Sequence, residues 1–179
     1  MPIVVGDTLG DVRFGIRAAS VEDAPAIARV HTDSWQTSYR GILPDSVLDQ
    51  IDVGQRRASR ERILTTPGGL HLVAFDVSSG EIVGFCDAGP SRSPGYDGEV
   101  YAIYFAHRAK RYGLGTEMFD QVRDWLPSRN MHSMIVWVLA NNPHARRFYE
   151  AVGGRTGHTK QTRVDRFPVI EQAYLWDRI

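Results

Sequence analysis

The stretch FAHRAKRYGLGTEMFDQVRDWL, residues 105–126, places two glycines at the start of an amphipathic helix. Gly113 and Gly115 lack the Cβ atom that would keep a ligand away from the main chain. Three cationic side chains stand just before them: Arg108, Lys110 and Arg111. Because the free N–H groups and the dipole of a helix N-terminus attract anions, this stretch predicts a phosphate-binding turn. A glycine turn with solvated cations explains the same residues, and the stretch alone leaves both interpretations open.

Two common phosphate-binding patterns do not fit this stretch. It lacks the third glycine of the dinucleotide fingerprint, and residues 110–116 (KRYGLGT) lack the Gly-Lys-Ser/Thr of a nucleotide triphosphate loop. Its apolar residues nevertheless recur at helical spacing: Leu114, Met118, Val122, Trp125 and Leu126. We therefore expect a helix that is opened by Gly113, buries one face and ends at Pro127.

The segments on either side predict strands and a second helix. Residues 99–106 (EVYAIYFA) predict a strand before the glycine turn. Residues 133–140 (SMIVWVLA) form a nearly unbroken apolar run, which is typical of a strand covered on both faces. Another helix follows. Asn142 is its predicted cap, Pro143 lies in its first turn, and the pair Gly153–Gly154 ends it.

The remaining segments complete a mixed α/β pattern. Ser20 and Asp23 predict a capping-box variant at the start of the first helix. Further elements are predicted in this order: a strand at 14–18, helices near 44–51 and 54–64, two strands joined by residues 78–80, and strands near 155–162 and 169–176. We expect residues 1–13 to be a loose lead-in and residues 14–179 to form one domain, a mixed sheet with helices on its faces.

Charge and cysteine content narrow the function classes. Lys plus Arg and Asp plus Glu each number 21, so the formal net charge is zero. Proteins that bind nucleic acid or anionic membranes normally carry excess positive charge, so we expect neither partner. The single cysteine, Cys86, cannot form an internal disulfide and suits a reducing cytosol. Asp7 and Asp11 interrupt the N-terminal stretch, and no long apolar run follows, so we expect a cytoplasmic protein without a signal peptide.

A second constellation lies about thirty residues beyond the glycine turn. Asn142, Ala145, Phe148 and Tyr149 are spaced to share one side of a helix. A tyrosine near a strand–helix junction commonly packs its ring in the core and exposes its hydroxyl to solvent. Its phenol, with a pKa of about 10, can also give a proton to a leaving group at neutral pH. The position alone does not decide between these roles.

Taken together, the two motifs resemble the GCN5-related N-acetyltransferase (GNAT) superfamily over nearly the whole chain, from about Arg17 to Trp176. The family's Gln/Arg-x-x-Gly-x-Gly/Ala segment, which holds the pyrophosphate of acetyl-CoA, corresponds to residues 110–115. Lys110 stands where the family has Gln or Arg. Lysine keeps the positive charge of an arginine but lacks the planar guanidinium that binds phosphate through two N–H groups. The family's Asn-x-x-Ala-x-x-Phe-Tyr motif is matched without departure.

The resemblance implies an acyl-CoA acyltransferase fold with a mostly antiparallel, splayed sheet, and acetyl-CoA as co-substrate. The strand at Ile103 to Phe105 would bond the pantetheine arm through its main chain, and Tyr149 would protonate the departing thiolate. The implied cofactor-binding residues are Ile103, Tyr104, Phe105, Lys110, Arg111, Tyr112, Gly113, Leu114, Gly115, Thr116, Asn142 and Tyr149.

The attacking amine must also lose a proton, so the reaction benefits from a general base. An alkylamine with a pKa of about 10 is neutral in only about one part in a thousand at pH 7, which costs roughly 4 kcal/mol. Glu99, at the start of the splayed strand, stands where such enzymes place a carboxylate base, and a solvated strand residue is its alternative. Backbone N–H groups near Phe105 could polarise the carbonyl. Holding the two reactants together would supply much of the acceleration.

The acceptor side is less defined. Residues 31–45 (HTDSWQTSYRGILPD) offer Trp35 and Tyr39 as tentative substrate contacts, although core packing explains Trp35 equally well. The six histidines show no paired ligand spacing, so we expect no metal site, and we expect Cys86 to be buried filler. Four basic residues near the C-terminus predict a solvated loop and strand that could meet an acidic acceptor: Arg155, Lys160, Arg163 and Arg166.

We therefore expect an N-acetyltransferase that moves acetyl from acetyl-CoA to a primary amine of a small molecule or peptide. Two alternatives remain: a non-catalytic acyl-CoA sensor of the same fold, and an interaction domain that binds no ligand. The identity of the amine and the choice between Glu99 and water as base are open. So are the oligomeric state, with a homodimer among the possibilities, and the use of acyl groups longer than acetyl.

Overall fold

The computed structural model describes residues 3–6 and 12–179 of the chain. Its strands are β1 (Ile3–Gly6), β2 (Val12–Ala18), β3 (Leu70–Asp76), β4 (Ile82–Pro90), β5 (Gly98–Phe105), β6 (Met134–Leu139), β7 (Arg155–Val164) and β8 (Phe167–Trp176). Its α-helices are α1 (Ala24–Ser38), α2 (Asp45–Asp49), α3 (Val53–Thr65), α4 (Leu114–Trp125) and α5 (Pro143–Ala151). Within these two ranges, no helix combines the length and the apolar character that a membrane span requires.

The described strands form one eight-stranded sheet in the order β1-β2-β3-β4-β5-β6-β8-β7. Every neighbouring pair is antiparallel except β5 and β6, which run parallel. Hairpin turns can join antiparallel neighbours, whereas the parallel pair needs a crossover, which α4 supplies. The predicted mixed, mostly antiparallel sheet is therefore confirmed.

The two parallel strands diverge after three paired positions. β5 and β6 are in register from Gly98 opposite Met134 to Val100 opposite Val136, and no pairing between them follows. A register shift in the β4–β5 ladder adds to the bend, because Asp87 faces Ala102 while the next residue of β4 faces Val100. The predicted splay is thus present as a wedge-shaped gap between the C-terminal halves of β5 and β6.

Helices cover both faces of the sheet, as predicted. On one face α4 and α5 contribute buried residues to the main core, among them Leu114, Met118 and Phe119. On the other face α1 packs Ile27 and Val30 against β3 and β4. Cys86 is part of the main core and 1% exposed, which confirms it as buried filler.

The structure corrects the boundaries at the N-terminus. Residues 1–13 were expected to be a loose lead-in. Residues 1–2 and 7–11 of this stretch lie outside the described ranges, but Ile3–Gly6 forms β1, and β2 begins at Val12. β1 pairs with β2 along an antiparallel ladder, so main-chain hydrogen bonding fixes a segment whose sequence carries little pattern. The predicted capping box is confirmed, since the Ser20 amide donates to Asp23 Oδ2 at 2.8 Å.

Candidate active site at the splayed strands

α4 begins behind a left-handed turn. Gly113 is its N-cap with φ of 78°, and a Cβ at this position would meet no atom within 4 Å. Glycine is therefore required here by the backbone dihedral, and not by a lack of space. The Glu117 amide makes the first helical hydrogen bond, to the Gly113 carbonyl at 3.0 Å, so the amides of residues 113–116 have no acceptor within the helix. This positive helix end fits an anion.

Gly115 has a different role from Gly113. A Cβ on Gly115 would come within 3.2 Å of the Phe148 ring and 3.6 Å of the Phe105 ring. A contact of 3.2 Å is tight for carbon atoms, so even a methyl group would press on α5. The missing side chain thus lets α4, α5 and β5 meet closely, which the sequence interpretation did not foresee.

Two of the three predicted cations can turn towards this helix end. Lys110 is exposed and lies 3.4 Å from the Ser38 hydroxyl, and Arg111 is exposed with φ of 70°. Arg108 instead pairs with Glu81 at 2.6 Å, so its charge is partly balanced by a carboxylate on the surface. The local positive charge therefore comes from Lys110, Arg111 and the helix dipole.

The other residues of the turn hold it in place. The Tyr112 hydroxyl accepts a hydrogen bond from Arg13 at 2.7 Å, and its ring packs edge-on against Phe14 at 5.0 Å. Leu114 is buried in the core, whereas Thr116 is exposed. A cofactor could therefore meet the main chain of Tyr112 and Leu114, while their side chains anchor the turn to the sheet.

Ile103, Tyr104 and Phe105 lie in the part of β5 that has separated from β6. Their main chain pairs with β4 on one side, and β6 no longer covers the other. Ser34 of α1 donates a hydrogen bond to the Phe105 carbonyl at 3.1 Å. An unpaired strand edge offers main-chain donors and acceptors to an extended ligand, so the geometry fits the predicted pantetheine contacts.

Tyr149 is buried on α5 in the same core. Its ring contacts Phe119, Phe148, Tyr174 and Trp176, and it is 6% exposed. Burial raises the pKa of Tyr149 far above its usual range, and nearby Tyr104 and Cys86 add to the rise. We find no hydrogen bond from its hydroxyl to any group in the described part of the chain. Tyr149 is thus a protonated donor without a protein acceptor.

Asn142 is buried and caps α5 as predicted, since its Oδ1 accepts a hydrogen bond from the Ala145 amide at 3.1 Å. Capping uses the oxygen of the side chain and leaves the Nδ2 group as a donor. The contact of Asn142 with the cofactor stays a prediction, and Nδ2 is the atom that would make it.

Glu99 is neither solvated nor free. It is 3% exposed, and Arg92 donates to it three times: the amide at 2.9 Å, Nε at 3.1 Å and Nη2 at 2.5 Å. The alternative of a solvated strand residue is therefore wrong. The role of general base stays a prediction, and the ion pair supplies a competing structural role, because it ties the segment before β5 to the start of the strand.

A pocket of about 650 Å³ opens on the α1 side of β5. Its walls come from α1, α3 and strands β3 to β5, and its polar lining includes His31, Trp35, Arg60, His71, Asp87, Tyr101 and Tyr104. Of the two tentative substrate contacts, Trp35 lines this pocket. Tyr39 is buried beside it, with its hydroxyl 3.0 Å from that of Tyr104.

Sequence analysis missed the charged cluster at the base of this pocket. Asp87 pairs with Arg60, and its second oxygen lies 2.7 Å from His71 Nδ1. These residues come from α3, β3 and β4, and no sequence motif joins them, so only the fold brings them together. Buried ion pairs are kept where their geometry is well satisfied, and this one fixes α3 to the sheet.

His31 makes the stability of the protein depend on pH. Burial, followed by the charges of Arg56 and Arg60, lowers the pKa of His31 from 6.5 to about 2. The folded protein thus keeps His31 neutral where the unfolded chain takes up a proton, so the free energy of unfolding should fall as the pH drops below 6.5. Between pH 7.5 and 5.5 we expect this residue to contribute a loss of about 1.4 kcal/mol.

Urea unfolding of the wild type, His31→Gln and the exposed-site control His107→Gln at both pH values measures this loss. The control should show the wild-type pH dependence, and His31→Gln should lack that part of it. Equal pH dependence in all three proteins would contradict the burial of a neutral imidazole.

Comparison with known proteins agrees with this geometry. The model of the Acetyltransferase (GNAT) family matches residues 29–153. The Bacillus subtilis (strain 168) protein named "Uncharacterized N-acetyltransferase YuaI" is 37% identical over 139 residues, which cover 76% of this chain and 77% of the relative. PaiA N-acetyltransferase from Thermoplasma acidophilum, solved in complex with coenzyme A, superposes with a TM-score of 0.67 at 19% identity, covering 89% of this chain and 97% of that one. N-acetyltransferase from Staphylococcus aureus Mu50 gives a TM-score of 0.69 at 17% identity, covering 92% and 98%.

Proposed function

Because the chain belongs to the acetyltransferase (GNAT) family, we propose that it transfers the acetyl group of acetyl-CoA to a primary amine of a small molecule or peptide. The observation that carries this proposal is that the start of α4, the unpaired end of β5 and the helix that carries Tyr149 pack together, since a Cβ on Gly115 would approach the rings of both Phe105 and Phe148. The first two suit a diphosphate and an amide-bearing arm, and the third suits a leaving thiolate.

The residues present fit acetyl-CoA, whose thioester supplies an activated acyl group. The amides of residues 113–116, with Lys110 and Arg111, would hold its phosphates. The exposed edge of β5 from Ile103 to Phe105 would hold the pantetheine amides by strand-like hydrogen bonds. Among the described residues, no group of three or more His, Cys, Asp or Glu could hold a metal ion.

The chain's own groups then divide the chemistry of a direct transfer. Free amides on the β5 edge would stabilise negative charge that develops on the carbonyl oxygen. As the amine nitrogen bonds to the carbonyl carbon and the C–S bond breaks, Tyr149, which is protonated at neutral pH, would donate its proton to the sulfur, and the proton lost by the amine would pass to Glu99 or water. The acceptor would lie in the 650 Å³ pocket, which is of small-molecule size and borders β5 at Tyr101, Ala102 and Tyr104.

The test is a screen of primary amines for thiol release from acetyl-CoA, preceded by a thermal shift. Acetyl-CoA at about 100 times its Kd should stabilise the protein by about 2.7 kcal/mol, or roughly 5–10 °C in Tm. Amine-dependent thiol release should then follow. Stabilisation without release by any amine would instead support the sensor alternative, and the absence of both would reject any acyl-CoA function.

The same screen decides the role of Glu99. A general base matters most where the amine is protonated, so Glu99→Gln should be slow at pH 7 and recover as the pH approaches the pKa of the amine. If Glu99 only holds Arg92, the variant should change KM and leave the shape of the pH profile unaltered.

A further inference from the structure

A histidine in the wall of the proposed acceptor pocket is held by an aspartate. His71 of β3 and Asp87 of β4 both line the pocket, and His71 Nδ1 lies 2.7 Å from one oxygen of Asp87. The other oxygen of Asp87 is paired with Arg60 of α3. Because a carboxylate only accepts hydrogen bonds, Nδ1 carries the proton, and Nε2 of the neutral ring is then a hydrogen-bond acceptor.

Gly69 leaves this acceptor open towards the pocket. Within the described ranges we find no hydrogen bond to His71 Nε2, and the His71 side chain is 13% exposed. Gly69 also lines the pocket, and a Cβ at this position would lie 2.7 Å from Nε2. The φ of Gly69 is not positive, so its backbone would accept a side chain. The room in front of Nε2 therefore explains the glycine.

The register of the sheet determines how far His71 lies from the reacting end of the pocket. His71 faces Asp87 in the β3–β4 ladder, and Asp87 faces Ala102 in the β4–β5 ladder. Neighbouring strands lie about 4.8 Å apart, so the main chains at His71 and Ala102 are separated by about 10 Å across the sheet. An acceptor whose amine reaches the edge of β5 would therefore extend back over Ala102 and Asp87 to His71.

The charges around His71 decide which group suits Nε2. Arg60 and Arg62 of α3 line the same pocket, and Asp87 is already bound to Arg60 and His71. A second ammonium group on the acceptor would be repelled by these arginines. A carboxylate has no proton to give to an acceptor nitrogen. A hydroxyl group is a neutral donor and meets neither obstacle.

We propose that the acceptor is an amino alcohol whose hydroxyl group lies roughly 10 Å from its amine and donates a hydrogen bond to His71 Nε2. The inference rests on the proposed function and names the substrate class of the same site. His71 is then a specificity-determining residue. Asp87 is a positioning residue, because its hydrogen bond to Nδ1 fixes the tautomer and the orientation of the ring.

Matched acceptors test the proposal. Aminohexanol can reach both ends of the pocket, and heptylamine carries a methyl group in place of its hydroxyl. With acetyl-CoA saturating, the wild type should favour aminohexanol over heptylamine about tenfold in kcat/KM for thiol release, which is about 1.4 kcal/mol, because the methyl group leaves Nε2 unpaired. Aminoethanol is too short to reach both ends and should show no such advantage over propylamine. Diaminohexane should be a poorer acceptor than aminohexanol.

Two variants locate the preference. His71→Phe keeps a ring but removes Nε2, and Gly69→Ala keeps His71 but places a methyl group in front of Nε2. Both should lose the advantage of aminohexanol over heptylamine. His132→Gln changes an exposed histidine that does not line the pocket, and it should keep the advantage. Because the advantage is a ratio measured on one preparation, a smaller folded fraction in a variant does not alter it.

The outcomes separate this inference from the proposed function. A wild-type ratio near one, or a preference for diaminohexane, would overturn the inference while amine-dependent thiol release still supports acetyl transfer. An unchanged ratio in either variant would also overturn it and would leave His71 only a structural role beside Asp87. If no amine releases thiol, the proposed function fails and the inference fails with it.

Discussion

Replacing Tyr149 by phenylalanine is expected to lower kcat about 10²–10⁴-fold, the range that a positioned acid contributes, and to leave the Kd for acetyl-CoA nearly unchanged. The phenylalanine ring can occupy the same space among Phe119, Tyr174 and Trp176. The hydroxyl of Tyr149 makes no hydrogen bond to the described protein, so its removal should not lower the Tm. A loss of turnover at constant stability and affinity is the result expected of a proton donor.

Tyr174→Phe is the matched control for this experiment. Tyr174 lies in the same core, but its hydroxyl accepts from Arg146 at 3.1 Å and donates to Glu150 at 2.8 Å. We expect that variant to lose about 1 kcal/mol of stability and to keep most of its turnover. Thiol release under single-turnover conditions, with both substrates saturating, measures the chemical step. Wild-type kcat in Tyr149→Phe would remove the residue from the mechanism.

Replacing Gly113 by valine is expected to weaken acetyl-CoA binding at least about tenfold while the protein still folds. A β-branched residue strongly disfavours φ of 78°, so the turn before α4 must change its path. The amides of residues 113–116 would then point away from the phosphates. Each charge-assisted hydrogen bond lost costs about 1.5–3 kcal/mol, so one or two suffice for the effect.

Gly80→Val separates this loss from general backbone strain. Gly80 lies in the β3–β4 turn with φ of 73°, and a Cβ there also meets nothing within 4 Å. The two variants should therefore lose similar stability, and Gly113→Val alone should lose affinity for acetyl-CoA, measured by calorimetry. Equal affinity in both variants would place the phosphates elsewhere.

The fold could be predicted in outline because its signals are local. The apolar spacing that starts at Leu114, the Asn142 cap and the apolar run of β6 each depend on residues within about two helical turns or one strand. β1 was missed for the opposite reason. Ile3, Val4 and Val5 favour a strand, but so short a run shows no periodicity, and its pairing with β2 is visible only in the fold.

The sequence by itself identified the residues suited to phosphate binding and proton donation. They are the glycines at the start of one helix and a tyrosine on the next helix, and a family pattern joins them. Only the tertiary structure decided their surroundings. It brought Gly115 against Phe148, paired Glu99 with Arg92 and placed the Arg56 guanidinium over the Trp35 ring. These relations join residues from separate elements, and the packing of helices on the sheet sets their distances. Local patterns along the chain specify elements, but burial, charge pairing and pKa depend on what the fold brings alongside.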